Sequence, residues 1–362
     1  MSRGKWEHRV RIGWIQALEF RNYRTLSWTP APALNLLSGA NAQGKTNLLE
    51  ALAFLATGRS FRTRHLADLP RWGAGTAAVT GELRRGEGAT VVRRVLTRRE
   101  DGGWQGSGAG CPWARAVAFG WQDLEILTGG PAVRRAFLDG VAARLAPAHR
   151  AALQRYRAVL TRRNRLLQQP LPERVLAARL APWDEQLAAV GLEVLERRRR
   201  AAAALQTEVG RIYPALVGEA AKVELRYRSS AGEVTESAAY LAALEAARPL
   251  ERRLGQTAVG PHRDDLAIEI EGVDARRYGS RGRQRLLALA LRLAEVLPVA
   301  EAAGSAPVLL LDDPLSELDG RAREHVLREL QAAEQVFVTS PEPVHVPGAA
   351  CWTVRGGALS AA

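Results

Sequence analysis

Gly39-Ala40-Asn41-Ala42-Gln43-Gly44-Lys45-Thr46 has the spacing Gly-x-x-x-x-Gly-Lys-Thr of a phosphate-binding loop, and the rest of the chain is read outward from it. In this pattern backbone N–H groups turn inward around nucleotide phosphates, the lysine carries charge to the β- and γ-phosphates, and the hydroxyl reaches Mg2+. Glycine is needed because a Cβ would obstruct the close approach of backbone to anion. The flanks agree with this reading. Leu34-Asn35-Leu36-Leu37 is an apolar run of strand type, and Asn47 to Leu55 follows with helical spacing. Such a helix aims the positive end of its dipole at the phosphates. Of 51 Lys and Arg residues only Lys5, Lys45 and Lys222 are lysines. A chain that chooses Arg almost everywhere keeps Lys where a compact ammonium on a flexible stem is wanted.

A second piece of the site is Val308-Leu309-Leu310-Leu311-Asp312-Asp313, a buried-strand pattern ending in two carboxylates. The first carboxylate is expected near the Mg2+ bound by Thr46, and the second where it polarises an attacking water. Pro314-Leu315-Ser316-Glu317-Leu318-Asp319 follows directly. Upstream, Tyr278-Gly279-Ser280-Arg281-Gly282-Arg283-Gln284-Arg285 stands before an apolar helical stretch. A Ser-x-Gly-x-Gln turn at a helix N-terminus offers a hydroxyl and free N–H groups to an anion. Read by itself, the same turn is also an ordinary cap at Ser280 or Gly282.

The length of 362 residues suits two domains, or one domain with a large insertion. An apolar fraction of 47% with 25% charged residues is that of a globular protein. The sequence has no apolar run of membrane length and no signal-peptide core at its start, so a cytoplasmic location is expected. Cys111 and Cys351 give neither metal spacing nor a disulfide framework. A net charge of +13 points to a polyanionic partner, most simply nucleic acid. Arg-rich codon usage explains why Lys is rare but not why bases outnumber acids.

Along the chain, residues 12–20, 76–84, 89–98 and 115–119 read as strands, with Gly86 and Gly88 marking a hairpin. Gly102 to Gly110 reads as an exposed loop. From Pro131 to Leu254 the pattern is helical, punctuated by Pro147, Pro170, Pro172 and Pro182, with one strand candidate at Lys222 to Arg228. Arg197-Arg198-Arg199-Arg200 reads as a solvated helix face. Strands return at Leu266–Ile270, Pro307–Leu311 and Gln335–Thr339, around a helix from Arg283 to Val296. The division expected is 1–125 for the N-terminal part of the nucleotide core, 126–254 for the helical insertion, and 255–362 for the remainder of the core.

A phosphate loop, a Ser-x-Gly-x-Gln signature and an apolar strand with paired acids, in this order, resemble an ABC-type ATPase head of the SMC-like kind. More narrowly the chain resembles the RecF family of bacterial recombination mediators. That likeness rests on Phe20-Arg21-Asn22-Tyr23, Gly39 to Ala51, Gly58-Arg59-Ser60-Phe61-Arg62, and Gly129-Gly130-Pro131 with Arg134 to Asp139. It rests further on Gly260-Pro261-His262-Arg263-Asp264-Asp265 and the Ser280 and Asp312 segments. The resemblance implies an α/β fold, a P-loop ABC-type head (lobe I) with an inserted, mainly helical lobe II. It implies ATP and Mg2+ as cofactors, with Gly39, Ala40, Asn41, Ala42, Gln43, Gly44, Lys45, Thr46 and Asn47 on the nucleotide. Ser280, Gly282, Gln284 and Asp319 are then further nucleotide contacts, Thr46 and Asp312 hold the metal, and Asp313 and Lys45 act in catalysis, with Gln122 a candidate beside them. It also implies an ATP-dependent homodimer on duplex DNA near single-strand gaps. Slow, DNA-stimulated hydrolysis would reset that dimer, and RecO and RecR would be partners in loading RecA.

Three departures stand out. Arg281 and Arg283 occupy signature positions of which one or both are usually glutamine. Trp121-Gln122 replaces a Pro-acidic pair ahead of Asp123-Leu124. Thr339-Ser340 follows the last core strand where transporter-type heads carry a histidine, which leaves open what that strand offers the γ-phosphate. A transporter subunit would need that histidine and a membrane-coupling partner. An SMC-type structural ATPase would need far longer heptad arms than the insertion contains. The presence of both Asp312 and Asp313 argues against a DNA clamp whose nucleotide is a purely structural ligand.

Overall fold

The computed structural model describes residues 10–277, 279–331 and 334–362; Lys5 and Tyr278 lie outside the described residues. In chain order the strands are β1 (Val10–Phe20), β2 (Tyr23–Trp28), β3 (Leu34–Ser38), β4 (Thr76–Arg85), β5 (Gly88–Arg98), β6 (Trp104–Ser107), β7 (Ala116–Phe119), β8 (Val223–Arg228), β9 (Asp265–Ile270), β10 (Val273–Asp274), β11 (Val308–Leu311), β12 (Val336–Ser340), β13 (Ala350–Arg355) and β14 (Ala358–Ala361). The helices are α1 (Lys45–Thr57), α2 (Glu125–Thr128), α3 (Pro131–Leu145), α4 (Ala148–Leu167), α5 (Glu173–Val217), α6 (Ser237–Leu254), α7 (Arg281–Leu293), α8 (Val296–Ala303) and α9 (Gly320–Gln331). The chain divides into two units, residues 1–123, 211–220 and 280–362 in the first, 124–210 and 221–279 in the second.

In the first unit, β3, β11 and the first four residues of β12 are buried along their whole length, as continuous apolar runs of a parallel sheet require. The six-stranded sheet has the order β14-β13-β3-β12-β11-β7, parallel except for β14 at its edge. The register aligns Ser38 with Ser340, Leu310 with Phe337, and Leu311 with Phe119. The C-terminal ends of β3, β12, β11 and β7 therefore emerge side by side. An antiparallel sheet, β2-β1-β4-β5-β6, forms the other layer. Helix α1 touches strands of both sheets and is buried nearly all round, from Leu48 to Ala56. A helix apolar on every side is stable only when covered on every side. Gln335, fully buried, links the layers: its Oε1 accepts from the Ile12 N–H at 2.8 Å and its Nε2 donates to the Ala31 carbonyl at 3.0 Å.

In the second unit, β9 pairs antiparallel with β8, placing Leu225 opposite Ile268, in a small sheet ordered β10-β9-β8. This corrects two expectations. The strand near Leu266 is not part of the nucleotide core, and the insertion extends to Gly279 rather than to 254, because cross-strand pairing with β8 outweighs proximity in sequence. Within this unit Leu187, Leu195, Tyr156, Tyr240 and Leu244 form a common core.

Other expectations shift locally. Trp104–Ser107 is a strand inside the expected Gly-rich loop, paired to the edge of β5. Pro182 does not punctuate, since it lies within α5, whose burial of Leu180, Leu187 and Ala188 offsets the lost N–H bond. The run Arg197–Arg200 is not one solvated face. A helix turns each successive residue by about 100°, and Arg198 points inward, 2% exposed. The helix expected from Arg283 to Val296 is divided into α7 and α8. Among the described residues no helix is long and apolar enough to cross a membrane.

Candidate nucleotide-binding site

The loop between β3 and α1 adopts a backbone that its glycines permit. Gly39 has φ 150° and Gly44 φ 110°, with Ala42 also left-handed at φ 64°. A Cβ on Gly39 would stand 2.3 Å from the Val354 carbonyl, and one on Gly44 2.6 Å from the Asn22 amide. Both glycines are thus fixed by packing as well as by any ligand. Lys45 is 8% exposed and its ammonium donates to the carbonyls of Gly39 and, at 2.8 Å, of Ala40. Burial lowers its pKa, with Asp312 and Asp313 pulling the other way. A bound polyanion would restore what burial takes from the charge.

The segments flanking the loop hold it in place. Tyr23 donates its hydroxyl to the Gly44 carbonyl at 3.0 Å, and the Gly356 N–H donates to Gln43 Oε1 at 2.7 Å. Asn47 donates to Asn22 Oδ1 at 2.8 Å and accepts from Arg62 at 2.9 Å. Beneath them Glu50 of α1 is fully buried and receives Arg21 through two bonds of 2.7 and 2.8 Å. Ser60 and Arg62 donate to the same carboxylate. The Phe20–Tyr23 and Gly58–Arg62 blocks are therefore braces for α1, converging on one buried acid.

From β11, Asp312 accepts the Thr46 hydroxyl at 2.8 Å and the Thr339 hydroxyl at 2.8 Å. The Asp313 N–H donates to Thr339 Oγ1 at 2.9 Å, so Thr339 aligns both acids from the neighbouring strand. Asp313 is left-handed, φ 50°, and its backbone carbonyl accepts from Arg285 of α7. Strained backbone of this kind costs energy and concentrates at functional sites. Burial raises the Asp313 pKa, opposed by Arg285 and by a hydrogen bond from Ser316. Two buried atoms here, Asp313 Oδ1 and Arg285 Nε, have no hydrogen-bond partner among the described residues.

These elements enclose a cavity of about 460 Å3, a suitable size for a nucleotide. Asn41, Ala42, Gly44, Lys45, Thr46 and Asn47 line it, facing Asp312 and Asp313. Gly39, Ala40 and Gln43 shape the loop without lining the cavity. Ser280 caps α7, accepting the Arg283 N–H at 3.4 Å, while Gln284 donates its backbone N–H to Ser280 O at 3.0 Å. Gly282 lies against the Glu317 carbonyl. Asp319 accepts the Ala322 N–H at 2.8 Å at the start of α9. None of these four residues lines the cavity, and neither does Gln122, whose amide donates to the Phe61 carbonyl at 3.5 Å. Lining residues to which the sequence assigned no nucleotide contact are Arg62, Trp121, Arg285, Thr339 and Pro341. Arg285 carried a faint signal, as the last of three alternating arginines at the head of the apolar run Leu286 to Leu291.

No family model matches the chain. It is 37% identical over 376 aligned positions to the DNA replication and repair protein RecF of Heliobacterium modesticaldum, covering 96% of this chain and 98% of that one. It is 38% identical to the protein of the same name from a Synechococcus species, covering 91% of this chain and 90% of that one. Among solved structures it matches the ATP complex of the recombination mediator RecF of the RecFOR pathway with TM-score 0.84 and 29% identity, over 99% of each chain. It also matches the Smc head domain of Pyrococcus furiosus with TM-score 0.54 and 17% identity, covering 98% of this chain and 96% of that one. The Smc likeness speaks to the fold alone, that of an ABC-type ATPase head. Taken with the geometry of the loop and its paired carboxylates, the relatives place the chain in the RecF family.

Proposed function

We propose that this chain is an ATP-dependent DNA-binding protein of recombinational repair, in which Mg-ATP joins two copies on duplex DNA near single-strand gaps. One observation carries the reading: the ends of β3, β11 and β12 bring Lys45, Thr46, Asp312, Asp313 and Thr339 around one cavity. The relatives' name supports the DNA part, and so does the charge of +13.

The Thr46 hydroxyl and the Asp312 carboxylate form a hard-oxygen pair already in contact, which fits Mg2+, an ion that keeps several waters and takes its other ligands from phosphate. Bound there, the ion would neutralise charge on the β- and γ-phosphates. Lys45 exchanges its loop carbonyls for phosphate oxygens, and the N–H groups of 41–46 surround the same anion. Asp313, whose burial favours its neutral form, takes the proton of the attacking water as the P–O bond to ADP breaks. Arg285 stays against Asp313 and orients it.

The signature works from the opposite copy. Ser280 and Gly282 do not line their own cavity, which supports their facing the nucleotide of a second molecule across a two-fold axis. A charge-assisted bond contributes about 1.5–3 kcal/mol, and two symmetric sites double it, so the γ-phosphate shifts dimerisation by several orders of magnitude. RecO and RecR would use the DNA-bound dimer to load RecA, and slow hydrolysis would release it. Sedimentation with ATP, with ADP, and with gapped DNA tests this reading. ATP should give dimers and ADP monomers, while Ser280→Arg should bind ATP but stay monomeric. A dimer of Ser280→Arg that still depends on ATP would overturn the role of the signature.

A further inference from the structure

Strand β7 pairs with β11 so that Phe119 lies opposite Leu311, and the Asp312 N–H donates to the Phe119 carbonyl at 2.8 Å. The residues just past β7 therefore emerge beside the paired acids. The turn there is held at two points. Asp123, 3% exposed, accepts the Gly120 N–H at 2.9 Å and is itself held by Arg292 at 2.6 Å. Within this turn Gln122 is drawn away to the Phe61 carbonyl, and a Cβ on Gly120 would collide with its amide. Trp121 is left as the side chain the turn presents to the cavity, the residue being 66% exposed.

A large aromatic on a pinned turn, in a cavity otherwise lined mainly by polar and charged groups, gains nothing from the empty state. Indole offers one polar function, an N–H that donates and cannot accept. Its place at the β7–β11 end of the cavity puts it on the side of Asp312 and Asp313, where the terminal phosphate belongs if the proposed function is right. We infer that Trp121, rather than Gln122, is the contact β7 makes with the terminal phosphate of the bound nucleotide, donating its indole N–H to a phosphate oxygen. The inference rests on the ATP reading above and adds a residue to it. Because the indole neither accepts nor releases a proton, it takes no part in the transfer to Asp313. It positions the phosphate.

The test compares the full chain with Trp121→Phe, Trp121→Gln and Trp121→Ala. A non-hydrolysable ATP analogue and ADP are titrated against each, and single-turnover ATP hydrolysis is measured. Trp121→Phe keeps the ring and loses the N–H. It should weaken the analogue by about tenfold to a hundredfold, as expected for one bond to a charged acceptor, while ADP affinity stays within about twofold. Trp121→Gln restores a donor and should recover part of that loss, whereas Trp121→Ala should not. Hydrolysis should follow the same order. Equal weakening of the analogue and ADP would place the ring on the base or the ribose and overturn the inference. So would a Trp121→Phe protein indistinguishable from wild type. Lys45→Met run in parallel separates the two levels: if it too binds and hydrolyses as wild type, the nucleotide site itself is misassigned, and this contact falls with it.

Discussion

The cavity beside the phosphate loop and the polar core of the second unit use the same residue types in opposite ways. In the second unit Arg163 is fully buried with every nitrogen engaged, Nε on Asp184 at 2.6 Å, Nη1 on Thr257 at 2.8 Å and Nη2 on Glu251 at 2.7 Å. Arg198 is held likewise by both oxygens of Asp139 and by the Pro261 carbonyl. Burial works against the charge of each arginine, yet Glu251 and Asp184 in one case and Asp139 in the other outweigh it and raise the pKa. At the phosphate loop the balance is reversed. Burial wins over Asp312 and Asp313 and lowers the Lys45 pKa. Closed charge networks hold a fold in one arrangement; open ones store the electrostatic work that a ligand releases.

The contrast can be broken from the side of the second unit. Glu251→Gln leaves Arg163 buried beside one remaining carboxylate and should cost about 3–5 kcal/mol of unfolding free energy, with ATP affinity unchanged in the folded fraction. Chemical denaturation checks it, and a cost below about 1 kcal/mol would show that the network is not closed in the way described.

On the open side, Asp313→Asn should slow hydrolysis about a hundredfold or more and leave ATP binding in place. A normal rate would remove Asp313 from the role of base. In the wild type, hydrolysis should fall on acidification with a midpoint above the ordinary aspartate value of 3.8, because burial raises the Asp313 pKa. Lys45→Met should weaken ATP by about tenfold to a hundredfold. Since Lys45 is buried rather than exposed, its loss should leave thermal stability equal or higher. Nucleotide titration together with a melting curve decides this, and unfolding of the variant would move Lys45 to the structural class.

The smallest effect sharpens the comparison most. An aspartate with a raised folded pKa destabilises the fold once pH exceeds its unfolded value, and does so fully above the folded value. Asp313→Asn should therefore melt somewhat higher than wild type at neutral pH, and the gain should shrink as pH falls through the carboxylate range. A gain independent of pH would point to packing instead. DNA binding is the remaining electrostatic test: the logarithm of affinity should fall with log salt by about 0.9 per phosphate neutralised, and indifference to salt would contradict a phosphate-backbone partner.

How much of this was legible in the sequence follows from the range of the interactions. The phosphate loop, β3 and α1 are contiguous, so their glycines, apolar runs and Lys45 state their purpose within some twenty residues. Asp312 and Asp313 were readable because a fully apolar strand must end near its parallel neighbours. Resemblance likewise marked Arg21, Ser60 and Arg62, but only the tertiary structure showed that all three converge on Glu50. Local pattern cannot tell which sheet a strand joins: Leu266–Ile270 reads as part of the core and pairs instead with β8 of the second unit. Nor can it tell which of two adjacent residues a pinned turn presents, as at Trp121 and Gln122. Periodicity marks a helix without fixing its rotation, so the inward turn of Arg198 was hidden within a run of four arginines. The sequence by itself determined the loop and the paired acids at the end of an apolar strand, because those depend on residue type at short spacing. The tertiary structure decided which charges are closed and which are left open, because that depends on partners 21 residues apart for Arg163 and Asp184 and 266 apart for Thr46 and Asp312.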